Sequence, residues 1–154
     1  MNISIRKATK DDWQIVQKLN NEVFEDNAVY DDYLNLKYPF INSGVEHYKK
    51  VVAAQEYGTF IAFDDTLPVG HIVSGPKIVD YRNIKAAEII EFGVSPKYRS
   101  MGVGKMLVDE VKKWAKSKRY QSLYVASYSR NNRAISFYQR EGFSSIDIGL
   151  EVIL

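Results

Sequence analysis

The chain has 154 residues, enough for one domain with a real core and too few for two comfortable ones. It is 45% hydrophobic and 26% charged, which argues against disorder, and 21 basic against 19 acidic residues leave a formal charge of only +2, too little to expect nucleic acid as a partner. Cysteine is absent, which excludes disulfides, thiolate metal sites and a cysteine nucleophile, and with only two separated histidines, His47 and His71, no metal is expected.

The N-terminus alternates and carries charge without an apolar signal core, and no apolar run reaches membrane-spanning length, so a cytoplasmic protein without membrane contacts is expected. Ile3 and Ile5 read as a first strand. Thr9-Lys10-Asp11-Asp12 offers a capping box, and Trp13, Val16, Leu19 and Val23 follow at helical spacing, which predicts a helix over 10–24. Residues 25–57 suggest helical pieces broken at Tyr38-Pro39 and Ser43-Gly44. Residues 57–63 and 69–73 form a hairpin, the second strand resuming towards Val79 beyond Pro76. Residues 86–94 are a largely apolar strand, as a central position requires.

After Pro96, Leu107, Val111, Trp114 and Ala115 make one apolar helical stripe. Residues 123–128 are the next strand. Asn131 or Asn132 caps a short helix, and Gly142 supplies its left-handed stop. Ile146, Ile148, Leu150 and Val152 alternate, which predicts a final strand. The order is β-α-(α)-β-β-β-α-β-α-β in a single domain, 1–154.

The stretch VSPKYRSMGVGKML, residues 94–107, raises the functional question, because a glycine-softened turn that opens a helix suits a phosphate. It is not a P-loop: Arg99 stands where the first glycine belongs and Met106 where Ser or Thr belongs. Nor is it a dinucleotide fingerprint, since Leu107 replaces the third glycine. What remains is Arg99-Ser-Met-Gly102-Val-Gly104 after a strand, followed by Asn131, Ala134, Phe137, Tyr138, Gly142 and Phe143 in the pattern N-x-x-A-x-x-F-Y-x-x-x-G-F.

These two blocks, correctly separated and set in that element order, resemble the GNAT superfamily of acyl-CoA-dependent N-acetyltransferases, most specifically over residues 86–143. The resemblance implies a three-layer α/β/α fold with a mixed, mostly antiparallel sheet, splayed between the strands near 86–94 and 122–128. It implies acetyl-CoA as co-substrate and acetyl transfer to a primary amine. The coenzyme is expected against Phe92, Gly93 and Val94, against the turn Arg99, Ser100, Met101, Gly102, Val103, Gly104 and Lys105, and against Asn131, Ala134 and Tyr138. Glycines at 102 and 104 let backbone amides approach a pyrophosphate, and Arg99 and Lys105 add charge.

Gly93 is unusual in a central strand and marks either a bulge or a tight packing spot. In the resembled family this strand carries a bulge whose amide faces the thioester carbonyl. Tyr138 matches the family's general acid, against the alternative of a core aromatic. For the base, Glu91 and Glu88 are the candidates. Three residues apart, they face opposite sides of the sheet unless a bulge intervenes, and a water chain is the third option. His47 and His71 have no partner at a recognisable spacing and read as ordinary. Glu25, Asp26, Asp31 and Asp32 draw a cationic acceptor or simply face solvent, and Tyr30, Tyr33 and Tyr38 line a pocket or fill core. The rival readings are a non-catalytic CoA-binding sensor and a transferase of longer acyl groups. A homodimer through the last strand is a further possibility.

Overall fold

The alternating apolar residues at the N-terminus become β1 (Ile3–Lys7), the outermost strand of a five-stranded sheet in the computed structural model, which describes residues 1–154. β2 (Gly58–Asp64), β3 (Leu67–Lys77) and β4 (Ala86–Val94) follow in order, each antiparallel to its neighbour. β5 (Ser122–Val125) joins β4 in parallel. β3 runs uninterrupted through Pro76, which lies opposite Ala87 near the strand's end, where a missing donor is tolerated.

The helices cover both faces, which gives the expected three layers. Thr9 and Asp12 start α1 as anticipated: the Thr9 amide donates to Asp12 Oδ2 at 2.7 Å, and Arg6 clamps the same carboxylate with bonds of 2.7 and 2.9 Å. A 3-10 turn over Lys10–Asp12 leads into α1 (Trp13–Asn27), which starts and ends three residues later than the predicted 10–24. The broken region after it contains a second 3-10 turn, Tyr38–Phe40, and α2 (Asn42–Ala53). α1 and α2 bury Val16, Leu19, Tyr48 and Val51 against Ile61, Phe63 and Val73 of the sheet. α3 (Val103–Ser117) buries Val103, Leu107, Val108 and Val111 against Phe60, Ala62, Val69 and Ile72 on the opposite face. Successive β2 residues therefore serve opposite cores, as the period of two requires. No helix is long and apolar enough to cross a membrane.

Two expectations need correction. The bulge in β4 is not at Gly93. Val73 lies opposite Glu91 and Ser74 opposite Ile89, so Ile90 is the extra residue, whereas Gly93 sits in regular register with His71. Gly93 is there for space: a Cβ on it would come within 2.4 Å of Val23 Cγ2 and 3.4 Å of the His71 ring. The second correction concerns the C-terminus. Residues 144–154 form no strand, and Ile148 and Leu150 are about nine-tenths exposed. Alternation specifies the faces of a strand but not a neighbour to pair with, and nothing in this chain pairs with the segment.

Candidate active site

β4 and β5 pair only over Ala86–Ile89 and Ser122–Val125. Beyond Ile89 they diverge, and the bulge at Ile90 falls where they part. A cleft of about 1160 Å³ opens at that point, running from the start of α3, past the ends of β4 and β5, to α1 and α2. It is the expected splay.

At one end lies the glycine turn. Gly102 has φ +85° and caps α3, leaving the first amides of the helix without intrahelical partners. The space above it is open: a Cβ built there would meet nothing within 4 Å. Gly104 is constrained differently, since a Cβ on it would lie 3.2 Å from the Phe92 ring and 3.3 Å from that of Phe137. Ser100, in the same turn, has φ +61°. The helix start, the open space and the Arg99 and Lys105 cations suit a bound diphosphate. The two side chains are already engaged within the chain, however. Arg99 pairs with Asp26 and donates from Nε to the Val94 carbonyl at 2.7 Å, and Lys105 lies 2.8 Å from Asp109 and 3.7 Å from Glu141.

Of the expected coenzyme residues, Phe92, Gly93, Val94, Arg99, Ser100, Gly102, Gly104, Lys105, Asn131, Ala134 and Tyr138 line this cleft. Met101 and Val103 do not; Met101 is half-exposed and Val103 is wholly buried in the core between α3 and the sheet. Asn131 caps α4 (Asn132–Arg140), its side-chain oxygen accepting from the Ala134 amide at 3.1 Å, and Gly142 ends the helix at φ +93°. Tyr138 sits on the same helix among Phe92, Phe137 and Phe143, with ring centroids 5.5 to 6.0 Å away. Burial in that aromatic cluster raises its phenol well above the ordinary tyrosine range.

At the other end the structure brings together residues that sequence spacing left apart. His47 on α2 hydrogen-bonds through Nε2 to Oε1 of Glu91 on β4. Glu91 Oε2 faces Nε2 of His71, on β3, at 3.8 Å. Burial lowers the His71 pKa to about 3, so this imidazole is neutral and forms no ion pair. Glu91 is 8% exposed and His47 26%, so His47 is the member of the pair open to the cleft. Glu88 lies outside the cleft and pairs with Lys77 at 3.6 Å. His47 and Glu91 are 44 positions apart on different elements, and only the packing of α2 across β4 joins them.

Around that pair stand Asn20, Phe24, Tyr30, Leu34, Tyr38 and Tyr128. Tyr30 and Tyr38 line the pocket, whereas Tyr33 is 74% exposed and belongs to neither pocket nor core. Tyr128, expected as the end of a strand, lies beyond β5, which stops at Val125; it stacks on Tyr30 and donates its hydroxyl to Asp31 at 3.0 Å.

Residues 13–143 match the acetyltransferase (GNAT) family. Among curated proteins, the chain is 27% identical over 146 residues to the uncharacterized N-acetyltransferase MJ1207 of Methanocaldococcus jannaschii. That match covers 94% of this chain but 62% of the relative, so the chain spans less than two thirds of its length. A mutant of the BH1408 protein from Bacillus halodurans has a similar structure, with a TM-score of 0.84 at 20% identity over 98% of this chain and 99% of that one. AAC(6')-Iy, in complex with the bisubstrate analogue CoA-S-monomethyl-acetylneamine, gives a TM-score of 0.76 at 16% identity over 100% and 99% of the two chains.

Proposed function

The chain belongs to the acetyltransferase (GNAT) family, and on that premise we propose that residues 1–154 act as one domain that moves an acetyl group from acetyl-CoA to a primary amine. The observation that carries this reading is a single cleft joining the glycine turn at α3 to the His47–Glu91 pair through the β4–β5 splay. Acetyl-CoA supplies the acetyl group as a thioester. The free amides at the start of α3, the open space over Gly102, Lys105 after a change of partner, and the remaining Nη1 of an Arg99 that stays paired with Asp26 would hold its diphosphate. Phe92, Gly93 and Val94 of β4 and Asn131, Ala134 and Tyr138 of α4 flank the arm that follows.

An amine arrives protonated and must shed a proton before it becomes a nucleophile. His47 takes that proton. Its Nε2 is engaged by Glu91, which fixes the Nε2–H tautomer and leaves Nδ1, without a hydrogen bond in the chain, as the accepting atom. Glu91 orients the ring and offsets the positive charge it acquires, and α2 brings the ring to the cleft. Glu88, turned to Lys77, takes no part.

Tyr138 serves the departing sulfur. A thiol ordinarily titrates near 8.5 and a tyrosine near 10. Burial widens that gap, so Tyr138 keeps its own proton as the nitrogen bonds to the acetyl carbon and the C–S bond breaks. It stabilises the thiolate by donating a hydrogen bond, and the second proton shed by the nitrogen converts that thiolate to the free CoA thiol.

Calorimetry with CoA and acetyl-CoA, followed by a thiol-release assay over a panel of primary amines, tests the proposal. Binding of both coenzymes with amine-dependent release supports it. No heat of binding on folded protein would overturn it, and binding without turnover of any amine would leave a coenzyme sensor in its place.

A further inference from the structure

We propose that the acceptor is a primary monoamine carried on an aromatic or apolar body, rather than a polycation. This rests on the acetyltransferase reading above. The acceptor end of the cleft has two carboxylates, and Asp26 is neutralised by Arg99. Glu22 and Asp31, nearby on α1 and the loop after it, lie outside the lining and accept from Ser95 and Tyr128. Only Glu91 remains without a permanent cation, and it stands behind His47. The walls are flat and largely apolar: Phe24 stacks on Tyr38 at 15°, and Tyr30 on Tyr128 at 26°, each pair with centroids 5.8 Å apart. Arg130 adds a positive charge beside Tyr30, donating to the carbonyls of Val29 and Tyr30. A polyamine or aminoglycoside would bring several ammonium groups to one anionic pair, leaving the others desolvated and unmatched. A single ammonium on a flat body meets Glu91 through His47 and covers the aromatic walls.

The test compares phenethylamine, spermidine and kanamycin as acceptors, with acetyl-CoA binding measured separately on the same protein. We expect kcat/KM for phenethylamine to exceed the other two at least tenfold, and Phe24→Ala to raise its KM about tenfold without changing acetyl-CoA affinity. Preference for spermidine or kanamycin, or turnover of none of the three, overturns the monoamine inference while acetyl-CoA binding leaves the coenzyme site standing. Loss of acetyl-CoA binding itself removes the reading on which it rests.

An independent observation carries a second inference. Residues 144–154 make no backbone hydrogen bond, yet Ile146, Ile148, Leu150 and Val152 alternate along them at 57%, 89%, 94% and 76% exposure. β5 bonds only to β4, so its other edge presents unpaired amides and carbonyls. A groove of about 650 Å³ runs beside that edge, lined by Ser122–Val125 on one side and Phe143–Ile146 on the other. The geometry points to this segment of one copy adding as a strand to β5 of a second copy, reciprocally. The complement of an unpaired strand is an unpaired edge, and each copy has one of both.

Light scattering on the full chain is expected to give twice its 17.7 kDa mass, and the double variant Ile148→Asp/Leu150→Asp to give a monomer of undiminished helix content. A monomeric parent chain overturns the inference, including one whose C-terminal amides are protected by pairing within the same copy. A dimer that survives the double variant overturns it too, because its contact then lies elsewhere.

Discussion

His47 Nε2 meets Glu91 Oε1 across the gap between α2 and β4, and it is the only contact that links a titratable group open to the cleft with a carboxylate on the central sheet. If proton removal runs through this pair, Glu91→Gln and His47→Gln each lower kcat by about 10²–10³-fold, with acetyl-CoA affinity unchanged. Glu88→Gln, altering a group paired with Lys77 outside the cleft, stays within about twofold of the parent. Steady-state kinetics with one amine and calorimetry with acetyl-CoA measure both. Equal losses in Glu88→Gln and Glu91→Gln would refute the assignment.

Tyr138→Phe removes the hydroxyl but keeps the ring among Phe92, Phe137 and Phe143. We expect kcat to fall about tenfold to a hundredfold, the worth of one hydrogen bond to a charged group, with the melting temperature unchanged. The raised phenol pKa carries a pH signature. The protonated form is the donor, and because burial shifts the pKa upward that form persists past the range in which a free tyrosine ionises. The parent enzyme therefore shows no alkaline loss of rate attributable to Tyr138 below pH about 10. A descending limb near pH 8 that disappears in Tyr138→Phe would contradict this.

The strands and helices that position the cleft were legible because their cues are local. Alternation marked β1, helical spacing marked α1 and α3, and Asn131 and Gly142 bracketed α4. The turn from Arg99 to Gly104 was legible for a related reason: a positive φ at Gly102 and a close ring beside Gly104 are demands that only particular residues meet. The His47–Glu91 pair was not, because no local cue reports which side chains meet across 44 positions. Gly93 shows the same limit from the other side. The sequence marked it as special, but whether for a bulge or for space depended on Val23, a residue of α1. The C-terminal strand failed because a strand is a relation between two segments, and alternation over 146–152 names no partner; within one copy the segment pairs with none.

Gly93 and Gly102 are glycines for different reasons, and alanine separates them. At Gly102 a Cβ meets nothing, so the cost is the left-handed backbone alone, about 1–2 kcal/mol. At Gly93 the backbone is ordinary, and the Cβ instead collides with Val23, a β-branched side chain with little freedom to move, costing about 1–3 kcal/mol. Val23→Ala should therefore restore part of the stability of Gly93→Ala and none of that of Gly102→Ala. Denaturant titration of the single and double variants checks this, and additive losses at Gly93 and Val23 would rule out the collision.

Acid stability turns on the entry to α1. The hydrogen bonds from Arg6, and then from the Thr9 amide, hold the Asp12 carboxyl at about 2 against an opposing push from burial, below the ordinary carboxylate range. A pKa lower in the folded than in the unfolded chain means that the unfolded chain takes up the proton first. Asp12 thus contributes its full stabilisation above the unfolded value near pH 4 and loses it as pH falls towards 2. The shift corresponds to about 2 kcal/mol, assigned to the buried carboxylate and not to the half-exposed Arg6. Denaturant titrations at several pH values should show the parent losing about that much between pH 4 and pH 2, over and above its other carboxylates. Asp12→Asn should start lower at neutral pH and converge with the parent at the acid end. Parallel curves for the two proteins would mean that the clamp on Asp12 is lost equally at every pH, and that its charge contributes nothing to holding β1 against α1.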